Sequence, residues 1–246
     1  MRGERAISAL RIGVLTPHAS PGPEEEFPAM SSGYVRTRVV RVSRGDPTTP
    51  AALRALTAPA VLDDAAETLR TDPIDAAAYA STTSAYVIGF AAETAIASGL
   101  EARLAVPVVA ACASAVLALR TLEVERVALV GAPWFAPEFN DLGAAYFRSQ
   151  GFDVVCSRSA ELAHDPAQVE PAAVCEWTTR HLSDEAQAVF IGGNGFRAAE
   201  AIRPLETAIG RPVLTANQVL LWHLLACTET HCDIDGYGQL LAHTAT

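Results

Sequence analysis

Ser81-Thr82-Thr83-Ser84 follows an apolar run and opens a helical pattern, so it offers hydroxyls and successive backbone N–H groups of the kind that hold an anion. A second turn, Gly192-Gly193-Asn194-Gly195, also follows an apolar run, and its glycines let a ligand approach the backbone closely. Three side chains near such turns could move protons or act as nucleophiles. His18 follows Pro17 and belongs to the residue type that changes charge near neutrality, so it is either a general acid or base or an exposed loop histidine. Ser81 becomes a useful nucleophile only beside a base. Cys112 is either a proton donor or a small buried hydrophobe. Trp134 and Phe135 line an apolar pocket or pack a strand end, and Asn217 and Gln218 contact a carboxylate or satisfy turn backbone. Glu24, Glu25 and Glu26 form a solvated acidic run capping a helix start. Cys227, His231 and Cys232 have neither the spacing nor the second ligand cluster of a zinc site, and no metal is expected.

These turns must be positioned by the elements around them, and those elements are duplicated. Arg11-Ile-Gly-Val-Leu-Thr-Pro17 is echoed by the stretch Arg126 to Pro133, Ala77 to Gly89 by Ala188 to Ala198, and the segment from Val106 by the segment from Arg211. The order is the same and the interval is roughly 105–115 residues, which is a repeat of a whole α/β unit. Apolar runs bounded by turn residues predict strands near 11–16, 36–42, 75–80, 106–110, 126–131, 153–157, 187–191 and 212–215. Helices alternate with them: one over 50–70 opened by Asp46 and early prolines, one over Ser114 to Thr121, and one over Phe139 to Gln150 stopping at Gly151. Near-continuous apolar strands alternating with helices imply parallel sheets covered on both faces, with ligands bound outside the carboxyl ends of the strands. Both polar turns fall at such ends, facing a cleft between two similar lobes.

Composition narrows the class further. With 246 residues, half of them apolar, the chain is long enough to bury two modest cores. No stretch reads as a spanning helix or secretory signal, which makes a cytoplasmic location the expectation. Five cysteines without regular spacing read as free thiols. A net charge of -10 leaves no basic footprint for nucleic acid or an anionic membrane. Gly193-x-Gly195-x-x-Ala198 satisfies a dinucleotide fingerprint in isolation, but no acidic residue ends the next strand, so no cofactor is expected.

Taken in order, the Arg-Ile-Gly-x-x-x-Pro17 start, Tyr79-Ala-Ser-Thr-Thr-Ser84, Val106-Pro-Val with Ser114-Ala-Val-Leu-Ala-Leu-Arg, and Gly210-Arg-Pro-Val-Leu-Thr-Ala-Asn217-Gln-x-x-x-Trp222 resemble the aspartate/glutamate racemase superfamily. The resemblance is to the branch holding maleate cis-trans isomerases and arylmalonate decarboxylases, and covers about residues 11–226. It implies an α/β fold of two pseudo-twofold-related flavodoxin-like lobes: residues 1–108 with 217–246 in one, 109–216 in the other. It also implies a carboxylate-holding site in the interlobe cleft, and family members are commonly oligomeric, so a homo-oligomer is possible. The family's two cysteines, one per lobe, correspond here to Ser81 and Gly193. A two-thiol racemase mechanism is therefore not expected. The anion-holding half implied by the family remains in Thr82, Thr83, Gly193, Asn194 and Gly195, with Ser20 and Pro133 where relatives have substrate-contacting Asn and Tyr. Three functions stay open. One is a cofactor-independent isomerase or decarboxylase of a small dicarboxylate using Ser81, His18 or Cys112 for protons. The others are a serine-dependent lyase or hydrolase of a small substrate, and a carboxylate-binding protein without turnover.

Overall fold

A computed structural model describes residues 9–42 and 47–242. The first half runs β1 (Leu10–Thr16), α1 (Pro23–Met30), β2 (Val35–Arg41), α2 (Pro50–Leu56), α3 (Pro59–Leu69), β3 (Ala76–Tyr79), α4 (Thr82–Ile88), α5 (Phe90–Leu104), β4 (Val108–Ala110) and α6 (Ala111–Thr121). The second half runs β5 (Arg126–Gly131), α7 (Glu138–Ser149), β6 (Asp153–Ser159), α8 (Pro171–His181), β7 (Ala188–Ile191), α9 (Ile202–Ile209), β8 (Val213–Thr215), α10 (Ala216–Cys227) and α11 (Gly238–Ala242). Both sheets are wholly parallel, ordered β2-β1-β3-β4 and β6-β5-β7-β8. Each repeated sequence segment thus occupies the same place in its own sheet, and the expected fold of two similar α/β lobes stands.

The lobes share one core. Ile12, Val14 and Ala78 of the first sheet belong to the same buried cluster as Val127, Leu129, Phe190 and Leu214 of the second. Residues pointing the other way, Leu15, Ala77 and Tyr79, pack with Leu62, Leu69 and Leu104 of α3 and α5 in a smaller cluster. Composition allowed two separate cores; the alternation of side chains along each strand instead sends one face of each sheet toward the other lobe. Phe147 is the aromatic hub, within 6.5 Å ring-to-ring of Tyr86, Tyr146, Phe152 and Phe190, so it ties α4 to α7 and β7. The helices following the fourth strand of each sheet, α6 and α10, pack on each other. The proposed lobe boundary after residue 108 falls inside β4, and the one after residue 216 falls one residue into α10.

Two expectations about elements change. The segment 50–70 is two helices, because Pro59 cannot donate to the preceding turn and forces Ala58 into an extended conformation (φ -62°, ψ 139°). Asp46, the expected cap, lies outside the described residues, and Thr49 caps α2 by accepting the Ala52 N–H. The polar stretch after residue 227 also acquires structure. Leu240 and Leu241 of α11 are buried, and Gln218 donates to the Tyr237 carbonyl at 2.6 Å. Among the described residues no helix is long and apolar enough to cross a membrane, and no cluster of three His, Cys, Asp or Glu residues is placed to hold a metal.

Two acidic side chains are buried in this core. Glu93 accepts the Cys112 N–H at 2.9 Å and the Tyr146 hydroxyl, and Glu26 accepts the Ala199 N–H at 2.7 Å. Burial pushes both carboxyls up from 4.5 to about 7, their hydrogen bonds only partly opposing it. A carboxyl that binds its proton more tightly when folded stabilises the fold fully below about pH 4.5, and that contribution is lost as the pH rises through 7. Glu24, held low by the Gly22 N–H and then by Arg41, and Asp75, held low by Arg11, act in the opposite sense only at more acidic pH. The melting temperature is therefore expected to rise as the pH falls from 8 to about 5. A flat or falling melting temperature over that window would contradict the two buried carboxyls.

Candidate active site

The site begins at the end of β1. Thr16 Oγ1 accepts the His18 N–H at 3.3 Å, folding the loop so that the imidazole turns toward α4. There Nε2 lies 3.4 Å from both Ser81 Oγ and Thr83 Oγ1. Ser81 sits where β3 gives way to α4, in an extended conformation that makes it the helix N-cap. Its Oγ accepts the Ser84 N–H at 3.2 Å and lies 2.8 Å from Ser84 Oγ. Capping consumes the serine: it is fully buried, behind His18.

The facing turn comes from β7. Gly193 has φ +106°, a conformation that side chains resist, and a Cβ there would stand 2.9 Å from the Ala132 Cβ. Glycine at this position is thus built into the backbone. Gly193→Cys is expected to destabilise the fold by about 2–4 kcal/mol through backbone strain and overpacking, without creating a reactive thiol. Urea unfolding with thiol titration checks this; a stable variant with a titratable thiol would contradict it. The turn is also pressed by the first lobe. A Cβ on Gly22 would lie 2.0 Å from the Asn194 carbonyl oxygen, and one on Gly195 would lie 3.2 Å from the Ser20 Cβ. Among the described residues no protein acceptor engages the N–H groups of Gly193, Asn194 or Gly195. The second turn differs from the first in one respect: it leads through an irregular stretch and a short 3-10 turn, and α9 opens only at Ile202. The N–H groups it presents are those of a loop rather than a helix start.

Between these turns lies a cavity of about 270 Å³. His18, Ser20, Thr83, Gly193, Asn194 and Gly195 form its polar side. Trp134, Phe135 and Phe139 form the apolar wall, with Trp134 edge-on to Phe196 at 5.8 Å. Pro47, Thr48, His164 and Pro166 complete the lining.

Eight of the residues singled out in the sequence therefore meet in one place. Others do not line it. Ser81 is behind His18. Thr82 is buried with its hydroxyl unpartnered and its N–H donating to Asn194 Oδ1 at 3.3 Å. Pro133 is buried and not among the lining residues. Asn217 lies behind Asn194, bonded to it. Cys112 is fully enclosed, its thiol directed at the Thr82 carbonyl at 3.8 Å and its pKa raised well above the ordinary value by burial and by the nearby Glu93. It is not among the residues that line the cavity. The acidic run also departs from expectation: Glu24 and Glu25 pair with Arg41 and Arg197, but Glu26 is 7% exposed and bonded to Asn217. His164 and Phe139 were not singled out beforehand. They reach the cavity from a loop and a helix whose tertiary approach has no local signature.

Comparison with known proteins follows the same lines. The arylmalonate decarboxylase family model matches residues 59–241. A maleate isomerase of Pseudomonas putida is 26% identical over 143 residues, so the match spans 55% of this chain and about half (55%) of that relative. The maleate isomerase Iso from Pseudomonas putida S16 superposes with a TM-score of 0.85 at 20% identity, over 96% of this chain and 100% of that one. A Nocardia farcinica maleate cis-trans isomerase mutant with a covalently bound succinylcysteine intermediate superposes with a TM-score of 0.84 at 21% identity, over 96% and 99% of the two chains. These structures share the fold.

Proposed function

Because the chain belongs to the arylmalonate decarboxylase family, we propose that it is a cofactor-independent carboxy-lyase that removes one carboxylate from a small substituted malonate and protonates the product. The observation that carries this reading is the His18 imidazole, 3.4 Å from the Ser81 and Thr83 hydroxyls, in a cavity with no cysteine among its described lining residues. A covalent cysteine adduct like that of the Nocardia relative has no thiol to form on there. Isomerisation by that route is disfavoured, whereas decarboxylation needs only one proton donor.

In the proposed reaction one carboxylate is held by the N–H groups of the Gly193–Gly195 turn and the Thr83 hydroxyl. The second faces the apolar side chains of Trp134, Phe135 and Phe139, which solvate a charge poorly. Cleavage of the bond between the α-carbon and that carboxylate releases CO₂ and leaves the electron pair delocalised into the retained carboxylate as an enediolate. The turn N–H groups stabilise the charge as it develops. Imidazolium His18 then gives its proton to the α-carbon, becomes neutral, and is reprotonated by solvent.

The Ser81–His18 contact also suits a serine nucleophile. Complete burial and the capping bond to the Ser84 N–H speak against it, since no substrate carbon can approach that oxygen without unwinding α4. The deciding experiment is product analysis with maleate, alkylmalonates and arylmalonates as sole substrates. A monocarboxylate and CO₂ from a malonate is the expected result. Fumarate from maleate, or no change in any malonate, would overturn the proposal.

A further inference from the structure

One buried chain of hydrogen bonds crosses from α1 to the cavity. Glu26, which does not line the cavity, accepts the Ala199 N–H at Oε1 (2.7 Å) and the Asn217 amide at Oε2 (2.6 Å). The same Asn217 Nδ2 donates to the Asn194 carbonyl at 2.8 Å, so both of its protons are committed. Its Oδ1 accepts the Asn194 side-chain Nδ2 at 2.8 Å, and Asn194 Oδ1 accepts the Thr82 N–H at 3.3 Å. Four segments distant in sequence are joined here: α1, α10, the turn after β7 and the start of α4. Glu26, Asn217, Asn194 and Thr82 are each nine-tenths or more buried.

An amide can usually be turned over by exchanging its oxygen and nitrogen, but not in this setting. Turning Asn217 would aim its oxygen at the Asn194 carbonyl, which has no proton to offer, and at Glu26, which in its ionised form has none either. Glu26 therefore selects one orientation of Asn217. That orientation presents Oδ1 to Asn194, which in turn must direct its NH₂ toward Asn217 and its oxygen toward Thr82. We infer that Glu26 is a positioning residue that, acting through Asn217, locks Asn194 in a single orientation at the polar side of the cavity. This rests on the reading of that cavity as a substrate site. Desolvated networks of this kind respond strongly to loss of one member, because the groups bonded to it are left buried without a partner.

The test uses the full chain labelled with ¹⁵N. The Asn194 side-chain NH₂ signal is identified by its loss in Asn194→Ser, and its hydrogen exchange is measured in wild type, Glu26→Gln, Asn217→Ala and the double variant. Malonate affinity is measured on the same samples by calorimetry. Gln at position 26 supplies one acceptor where two are needed, so exchange at Asn194 is expected to quicken about tenfold and malonate to bind about tenfold more weakly. Because Glu26 acts through Asn217, the double variant should match Asn217→Ala alone. Unchanged Asn194 exchange in folded Glu26→Gln, or additive effects in the double variant, would overturn the inference. If Glu26→Gln does not fold, unchanged exchange in Asn217→Ala overturns it equally. Faster exchange in the variants, in a protein whose wild type binds no malonate, would support the lock while removing the substrate-site reading.

Discussion

Replacing His18 by Gln is expected to lower kcat on a malonate substrate by about 10²–10⁴-fold and leave KM within a few-fold. Glutamine can still present an N–H toward Ser81 and Thr83, so the local contacts at 3.4 Å have a replacement donor. It cannot deliver a proton to a carbanion. The remaining rate would come from the turn N–H groups and the apolar wall, which act on bond cleavage and not on protonation. His18 is partly exposed in a loop, so the fold should be unaffected and circular dichroism should superimpose on wild type. A His18→Gln variant retaining kcat within about threefold would remove the histidine from the chemistry. Equal effects on kcat and KM would instead point to lost substrate contact.

Glu93→Ala is expected to cost roughly 3 kcal/mol or more in unfolding free energy, because buried donors left without an acceptor cost about 1–3 kcal/mol each. Two such donors are evident, the Cys112 N–H and the Tyr146 hydroxyl, and the backbone of Ala113 lies beside them. The N-cap position of α6 is Ala110, which has no side-chain oxygen, so Glu93 from α5 does the capping from outside the helix. Tyr146 belongs to α7, and the same carboxylate therefore fastens the second lobe to the first. Glu93→Gln keeps an acceptor and should lose only part of this. Urea unfolding of both variants at pH 7 decides the matter; a loss below about 1 kcal/mol for the alanine variant would show that the carboxylate is not a structural tie.

The strands were legible because their apolar runs are short and bounded by turn residues. All eight expected positions carry a strand, and the duplicated order of segments foretold two sheets of the same topology. The polar turns were visible for the same reason, since each interrupts an apolar run at a strand's carboxyl end. What was not legible depends on partners far away in the chain. Glu26 belongs to an acidic run that looks solvated, and its burial follows from Asn217, 191 residues further on. Glu93 lies among alanines with nothing local to mark it as the cap of another helix. Ser81 was expected to face a ligand, but the extended backbone that makes it an N-cap turns its oxygen inward. The break at Ala58 could have been foreseen from Pro59 alone.

The central claim is that this chain decarboxylates a malonate and that His18 returns the proton. It is tested most directly by proton NMR of a prochiral arylmalonate or alkylmalonate incubated in D₂O with wild type and with His18→Gln. The expected result is a monocarboxylate bearing one deuterium at the α-carbon, formed as one enantiomer by the wild type and not formed at a comparable rate by the variant. Product formed equally fast by both would contradict the role of His18. A malonate that binds wild type and is recovered unchanged would contradict the carboxy-lyase itself.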